Sequence, residues 1–352
     1  MAVANSVGEN AADEGEARFH IRCGFEILEK PVPARWLLRP YLEESVLALL
    51  YGDLGTLKSF LGLHWSLTLA AKGMPALYLS AEGKGLERRI RGWCLRHDPK
   101  RKPEQVMFSL PFYAIEQAFA LPGGEELAAL EHAVESQAVP PRLIVVDTLN
   151  RYGGILDENR ASDVAAFVTA VDRLRLRFGA TILIVHHVGH AVKDRARGSY
   201  ALMAATDAHF LVERPDSAKL LIRVTTGRLK DSESPPPLTL EADVVDLGDL
   251  DEDGQPRTTL ALRPSDQTIE PLRRRPTGKR QAELLRLLEK EHEQGNVVWP
   301  DAELRKLARE KFRMHRNSAR DAILGLHTAG YLKASIGGAM LANPPESTEC
   351  TK

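Results

Sequence analysis

The chain has 352 residues, 47 Lys and Arg against 48 Asp and Glu, and a formal net charge of −1 at pH 7. This length accommodates one large domain and a smaller second one, and no apolar run reaches the roughly 20 residues that a bilayer span requires, which excludes an integral membrane protein. Three scattered cysteines (Cys23, Cys94, Cys350) have neither disulfide nor metal-ligand spacing. The first 20 residues lack a basic segment followed by an apolar one, so we expect no signal peptide and a cytoplasmic location.

Between Val46 and Val212, five short apolar segments alternate with helical patterns: SVLALLYG, ALYLSAE, RLIVVDT, TILIVHH and AHFLVER. This alternation predicts an α/β fold with a mainly parallel sheet and crossover helices. Helices are expected over Lys58–Lys72, Leu86–His97 and Ser162–Phe178, the last with Ser162 as its N-cap. The next two segments, LLIRVTTGRL and LTLEADVVDL, predict antiparallel strands added at one edge of the sheet.

A second domain is predicted after a polar, proline-flanked linker. Helices are expected over Gln281–Glu293 and from Pro300 to Lys311, with a third capped by Asn317 or Ser318. The segments YLKAS and AMLA around a Gly-Gly turn predict a hairpin. Three helices followed by a hairpin indicate a winged helix-turn-helix. Residues 272–334 contain 15 Lys and Arg against eight Asp and Glu, so this module is a candidate for nucleic-acid binding, although a basic run also suits a solvated face.

A phosphate-binding loop is predicted where the first strand meets the first helix. The segment GDLGTLKS has glycines that permit tight backbone turns, a lysine for the outer phosphates and a serine for Mg²⁺. It departs from the usual pattern at Leu57, where glycine normally precedes the lysine, so a chance glycine-rich turn is the alternative. The predicted nucleotide-binding residues are consecutive: Gly52, Asp53, Leu54, Gly55, Thr56, Leu57, Lys58, Ser59 and Phe60.

Polar residues at the ends of other predicted strands support this site. Asp147 ends LIVVD, where a carboxylate holds Mg²⁺ together with Ser59, although an aspartate there also suits a helix cap. Glu82 follows the strand ALYLS and is a candidate general base, with a surface carboxylate as the alternative. His186 and His187 end a further strand at the edge where ligands of α/β sheets bind. The segment HHVGH lacks a carboxylate or cysteine at helical spacing, which disfavours zinc.

Four segments in order resemble the RepA-like hexameric replicative helicases, RecA-fold P-loop ATPases of plasmids and phages. They are YGDLGTLKSF, YLSAEGKGLERRIRGW, LIVVDTLNRYGGILDENRASDVAAFV and VHHVGHAVKDRARGSYALMAATDAHFLV. The resemblance covers about residues 35–240. It implies ATP and Mg²⁺ as cofactors, Glu82 as catalytic base, and His187 as the sensor of the γ-phosphate.

The resemblance also implies residues that act between subunits of a hexamer and on DNA. Arg228 and Lys230 stand where such helicases carry a basic pair that completes the neighbour's site, and Arg197 is a second candidate. The loop over Gly189–Arg197, including Lys193 and Arg195, is implied to face DNA in a central channel. The alternative for the basic pair, for Arg197 and for the loop is a solvated surface. In the second domain the candidate DNA contacts are Arg313, Arg316 and Arg320, and protein docking is the alternative role.

Together these patterns predict a disordered tail at 1–18, a RecA-like ATPase domain at 19–264, a linker at 265–276, a winged-helix domain at 277–342 and a disordered tail at 343–352. The expected function is that of an ATP-dependent DNA helicase or translocase of plasmid or phage replication. The alternatives are a DNA-binding initiator or regulator switched by ATP, and a recombination mediator.

Overall fold

A computed structural model describes residues 22–29, 33–81, 85–154, 156–157, 160–187, 198–216, 218–267, 269, 279–295, 298–328, 331–335 and 338–341. The chain divides into two compact units, Met1–Arg35 and Trp36–Lys352. The first contains helix α1 (Gly24–Glu29), which exposes Phe25, Ile27 and Leu28.

The second unit contains all the remaining elements. In chain order they are β1 (Trp36–Leu38), β2 (Leu42–Glu43), β3 (Leu47–Gly52), α2 (Lys58–Ala71), β4 (Ala76–Ser80), α3 (Leu86–His97), α4 (Pro103–Phe108), β5 (Phe112–Ile115), α5 (Gly124–Glu135), β6 (Leu143–Asp147), α6 (Leu149–Tyr152), α7 (Ala161–Phe178), β7 (Thr181–His187), α8 (Gly198–Ala205), β8 (Ala208–Glu213), β9 (Leu221–Leu229), β10 (Leu238–Leu250), β11 (Pro256–Pro264), α9 (Lys279–Glu293), α10 (Asp301–Phe312), α11 (Arg316–Thr328), β12 (Leu332–Ser335) and β13 (Gly338–Leu341).

A nine-stranded sheet organises this unit, in the order β11-β10-β9-β8-β3-β7-β6-β4-β5. The six strands from β8 to β5 pair in parallel, whereas β9, β10 and β11 are antiparallel additions on one side. The prediction of a mainly parallel sheet with antiparallel strands at one edge is therefore confirmed. Strand β11, helices α4 and α5 and edge strand β5 were not predicted from the sequence.

Apolar side chains fill both faces of the sheet. Strands β4 and β6 are buried along their whole length, as strands covered on two faces must be. One core cluster joins alternate strand residues to α2 and α3, and a second joins the other alternate residues to α5, α6 and α7. Successive residues of a strand point to opposite faces, so the two clusters define which side of the sheet each side chain reaches.

Two predicted helix caps are wrong. Helix α7 begins at Ala161 with Arg160 as its N-cap, and the Ser162 hydroxyl donates to the Asp163 carboxylate at 2.9 Å rather than capping a backbone N–H. Helix α11 begins at Arg316, so Asn317 and Ser318 lie inside its first turn instead of at its cap.

The C-terminal elements have a hydrophobic cluster of their own. Helices α9, α10 and α11 and the antiparallel pair β12–β13 occur in the predicted order. Their buried side chains include Leu284, Leu288, Trp299, Leu304 and Leu326, all drawn from this part of the chain. The winged-helix assignment and the domain boundaries stay predictions. Within the parts of the chain that the structure describes, no helix is long and apolar enough to span a membrane.

Candidate nucleotide-binding site

The loop between β3 and α2 requires glycine at its first position. A Cβ atom on Gly52 would lie 2.2 Å from the carbonyl oxygen of Val212, so no side chain fits there. Gly55 has a φ of +77°, in the left-handed region that glycine adopts readily. Leu54 lies between them with its side chain exposed. The two glycines therefore serve close packing and a tight turn.

The side chain of Lys58 is folded onto this loop. It is 2% exposed, and its Nζ donates to the carbonyl oxygens of Gly52 and Asp53 at 2.9 and 2.6 Å and to the Thr56 hydroxyl at 3.2 Å. The Thr56 hydroxyl donates in turn to the Asp53 carbonyl at 2.9 Å. Lys58 is also the first residue of α2, and a helix N-terminus attracts anions. The loop thus holds an ammonium group at a position that favours phosphate.

Leu57, at the position where the usual pattern has glycine, has a left-handed backbone conformation. Its φ and ψ are 63° and 27°, the left-handed region, which costs a residue with a Cβ roughly 1–2 kcal/mol. Its half-buried side chain packs against the core cluster that contains α2. Packing into the core offsets part of this strain and directs the leucine away from the loop.

Asp147 is bonded to residues of two other elements. The Ser59 hydroxyl donates to its Oδ1 at 3.1 Å, and the Tyr78 hydroxyl lies 2.6 Å from its Oδ2. The carboxylate is 1% exposed, and the N-cap of the following helix α6 is Thr148. The alternative of a helix-capping aspartate is therefore wrong. A serine hydroxyl and a buried carboxylate side by side form a set of oxygen donors that suits Mg²⁺.

Neighbouring strand ends converge on the same edge. The backbone N–H of Ala81 donates to the Asp147 carbonyl at 3.1 Å, which places the end of β4 beside Asp147. Glu82 is the next residue, but it lies outside the described residues. His187 pairs with Gly52, and it shares a sheet face with Asp147 because Asp147 pairs with Val185, two residues earlier.

His186 points to the opposite face and is 2% exposed. Its pKa is lowered to about 4, first by burial and then by the proximity of His187 and Lys58. The imidazole is therefore neutral at pH 7 and adds no positive charge beside Lys58.

Arg228 and Lys230 are not brought to the loop of their own chain. Strand β9 runs antiparallel to β8, so Arg228 pairs with His209 near the beginning of β8. Lys230 forms an ion pair with Asp207 Oδ1 at 3.2 Å, and Asp207 Oδ2 accepts the N–H of Leu47, the first residue of β3, at 3.1 Å. The loop follows the other end of β3, about 17 Å away at the usual rise of a strand.

The candidate DNA contacts are only partly visible. Lys193, Arg195 and Arg197 lie outside the described residues. Arg313 and Arg320 are exposed at the end of α10 and on α11, and Arg316 begins α11. Arg313 ends α10 in the left-handed conformation with a φ of 49°.

The role of Tyr78 was missed by sequence reasoning. It lies on β4 within the apolar segment ALYLS, where a tyrosine suits an ordinary buried strand. Its hydroxyl reaches Asp147, 69 residues away along the chain. The only sequence signal is a polar atom on a strand predicted to be buried on both faces.

Comparison with known protein families agrees with this geometry. Residues 18–192 match the family described as an AAA domain, AAA_25. The matched segment includes the loop at Lys58, Asp147 and His187. This part of the chain is therefore similar to an AAA-type ATPase domain, which supports ATP as the nucleotide of the site. No curated protein matches the chain.

Three solved structures resemble parts of this chain. The ATPase domain of G40P has a TM-score of 0.45 and 10% identity, covering 56% of this chain and 82% of that one. A DnaB-like replicative helicase has a TM-score of 0.48 and 9% identity, covering 62% of this chain and 64% of that one. The RadB recombinase has a TM-score of 0.43 and 13% identity, covering 56% and 87%. Likenesses at this level do not assign an activity to the chain.

Proposed function

We propose that the protein is an ATP-dependent DNA helicase or translocase of the RepA-like type, from plasmid or phage replication, that hydrolyses ATP between the subunits of a hexameric ring. The observation that carries this proposal is the arrangement of Lys58, Ser59 and Asp147 at the carboxyl ends of β3 and β6. These residues supply a phosphate-binding cation and the oxygen donors for Mg²⁺ from two separate elements.

Each residue of the site has a distinct task in hydrolysis. Lys58 would bind the outer phosphates and stabilise the charge that develops on them. Ser59 and Asp147 would hold Mg²⁺, which neutralises phosphate charge when bound. Glu82, the residue after Ala81, would accept a proton from the attacking water. His187, paired with Gly52, would sense the γ-phosphate.

The positions of two further basic residues support the proposed ring. Lys230 bonds Asp207 at the amino end of β3, about 17 Å from the loop of its own chain, and Arg228 lies two residues before Lys230. In a head-to-tail ring, the same residues of one subunit can face the loop of the next. We therefore assign them to the transition state of a neighbouring site, as an arginine finger acts in trans.

DNA would contact two parts of the chain. The loop that contains Lys193 and Arg195 would bind the phosphate backbone without reading sequence. The C-terminal module, taken as a winged helix, would add contacts from Arg313, Arg316 and Arg320. Fifteen Lys and Arg against eight Asp and Glu in residues 272–334 favour this role.

The second candidate is an ATP-switched DNA-binding initiator or regulator, and the observation that favours it is Leu57. A strained leucine beside Lys58 is compatible with nucleotide binding but places a Cβ where the usual pattern has none. In such a protein ATP would change the conformation without driving movement along DNA.

The ATPase rate with and without single-stranded DNA, in the wild type and in Lys58→Ala, tests these functions. We expect DNA to stimulate hydrolysis in the wild type and Lys58→Ala to abolish it. The matched control is Lys72→Ala, at the exposed end of the same helix, which should hydrolyse ATP like the wild type. A rate that depends on Lys58 but not on DNA favours the switch, and a rate indifferent to both contradicts an ATPase at this site.

A further inference from the structure

Tyr78 contacts both residues that are proposed to hold Mg²⁺, Ser59 and Asp147. It is 1% exposed on β4 and pairs with Val145 of β6, two residues before Asp147. Its hydroxyl lies 2.6 Å from Asp147 Oδ2 and 3.0 Å from the carbonyl oxygen of Ser59. One buried hydroxyl thus contacts both the carboxylate from β6 and the backbone of the residue whose side chain would bind Mg²⁺.

The hydroxyl has one proton to donate, and the charged carboxylate is the stronger acceptor. With Tyr78 at Oδ2, the other oxygen of Asp147 remains directed at Ser59, 3.1 Å from its hydroxyl. This division of the two oxygens sets the rotation of the carboxylate. A carboxylate with both oxygens placed is pre-oriented for a metal or a metal-bound water on the Ser59 side.

We propose that Tyr78 is a positioning residue that orients Asp147 and thereby sets the affinity of the site for Mg²⁺. The inference rests on the proposed ATP and Mg²⁺ site and deepens it. Tyr78 contacts neither phosphate nor water in this role, because it acts through the carboxylate that it bonds.

Tyr78→Phe is the direct test, because it keeps the buried ring and removes only the hydroxyl. Residues that orient metal ligands typically change metal affinity by 10- to 100-fold, so we expect the Mg²⁺ concentration for half-maximal ATP hydrolysis to rise by about that factor. The rate at saturating Mg²⁺ should largely recover, and binding of a fluorescent ATP analogue in EDTA should match the wild type.

Tyr152→Phe is the matched control. Tyr152 is also fully buried, and its hydroxyl donates to the carbonyl oxygen of Gln117 at 3.1 Å, within the other core cluster. Losing that hydroxyl costs a comparable buried hydrogen bond without freeing Asp147. We expect it to lower resistance to urea as Tyr78→Phe does, while leaving the Mg²⁺ dependence unchanged.

A double variant tests whether Tyr78→Phe changes the Mg²⁺ dependence through Asp147 or through a general disturbance of the fold. Combined with Asp147→Asn, Tyr78→Phe should produce no further change in Mg²⁺ dependence, because the group it orients is already altered. Unchanged Mg²⁺ dependence in Tyr78→Phe, or an equal shift in Tyr152→Phe, overturns the proposal.

The same titration can be read as Mg²⁺-dependent binding of the fluorescent ATP analogue, which needs no turnover. If the wild type binds the analogue with Mg²⁺ but does not hydrolyse ATP, the proposed helicase function fails while Tyr78 is still tested. If the wild type hydrolyses ATP and Tyr78→Phe titrates normally, only the role of Tyr78 fails.

Discussion

The two ends of strand β3 hold lysines in contrasting ways. At the carboxyl end, Lys58 is buried and bonded to three oxygens of the loop that follows the strand. At the amino end, the side chain of Lys230 is 58% exposed and bonded to the carboxylate of Asp207. A buried lysine held by its own loop suits a site within the chain, whereas an exposed one in a single ion pair is suited to engage another molecule.

The contrast is consistent with a proposed catalytic site that two subunits share. The carboxyl end holds the residues proposed to bind phosphate and Mg²⁺. Lys230, at the amino end, lies about 17 Å from these residues along the strand. In the proposed mechanism a second cation acts from a neighbouring subunit, and the predictions below test the two ends of β3 against each other.

The largest effect is expected from mixing two inactive variants. Lys58→Ala removes the cation proposed to bind phosphate. Lys230→Met removes the cation proposed to act in trans, and we expect this loss to lower the rate of ATP hydrolysis by a factor on the order of 10³. In a ring mixed from equal amounts, roughly a quarter of the interfaces would combine an intact Lys58 with an intact Lys230 of the neighbour. We therefore expect ATP hydrolysis to reappear on mixing.

ATP turnover measured on each variant alone and on the mixture checks this expectation. Lys230→Met alone should still bind a fluorescent ATP analogue, whereas Lys58→Ala should not. If the mixture is as inactive as its components, Lys230 has no role in trans, and Lys58 and Lys230 do not act in a shared site.

A smaller effect, on the free energy of unfolding, is expected at Leu57. Whether glycine or alanine is the more stable replacement there tests the left-handed conformation. In an ordinary helix glycine is about 1 kcal/mol less stable than alanine. Because Leu57 has a φ of 63°, Leu57→Gly should instead be more stable than Leu57→Ala by about 1 kcal/mol. Urea unfolding of both variants measures the difference.

The control for Leu57 is Ala166 on the exposed side of α7, where Ala166→Gly should lower the free energy of unfolding by about 1 kcal/mol. If Leu57→Gly is less stable than Leu57→Ala, the left-handed conformation at the carboxyl end of β3 is wrong.

The smallest effect is expected at Asp207. Asp207→Asn keeps an oxygen for the N–H of Leu47 but removes the charge that holds Lys230. Exposed ion pairs contribute about 0–1 kcal/mol, so the free energy of unfolding should change by less than that. The rate of ATP hydrolysis should change more than the free energy of unfolding, because the variant frees Lys230 from its ion pair with residue 207.

Asp216→Asn is the matched control, since it breaks the exposed pair of Asp216 with Lys219. We expect similar urea unfolding for the two variants and altered turnover only for Asp207→Asn. Equal turnover in both would show that the contact at the amino end of β3 has no part in catalysis.

Local patterns in the sequence were sufficient to predict much of the core. The strand, loop and helix around Lys58 are consecutive, so their order and chemistry are visible in eight residues. The apolar segments that became β3, β4, β6 and β7 are buried on both faces, which makes them distinct from amphipathic helices. Helix caps were less predictable, because Ser162 bonds the neighbouring Asp163 instead of a backbone N–H, and α11 begins one residue before Asn317.

The amino-acid sequence by itself was sufficient to predict the class of fold and to propose Lys58, Ser59 and Asp147 as residues of one site, because these inferences depend on residue types and strand order. Only the tertiary structure decided that Tyr78 bonds Asp147, that Leu57 is left-handed, and that Lys230 lies at the far end of β3. The physical reason is register: which side chains meet across a sheet depends on how strands align, and a shift of one residue would turn each of them to the opposite face.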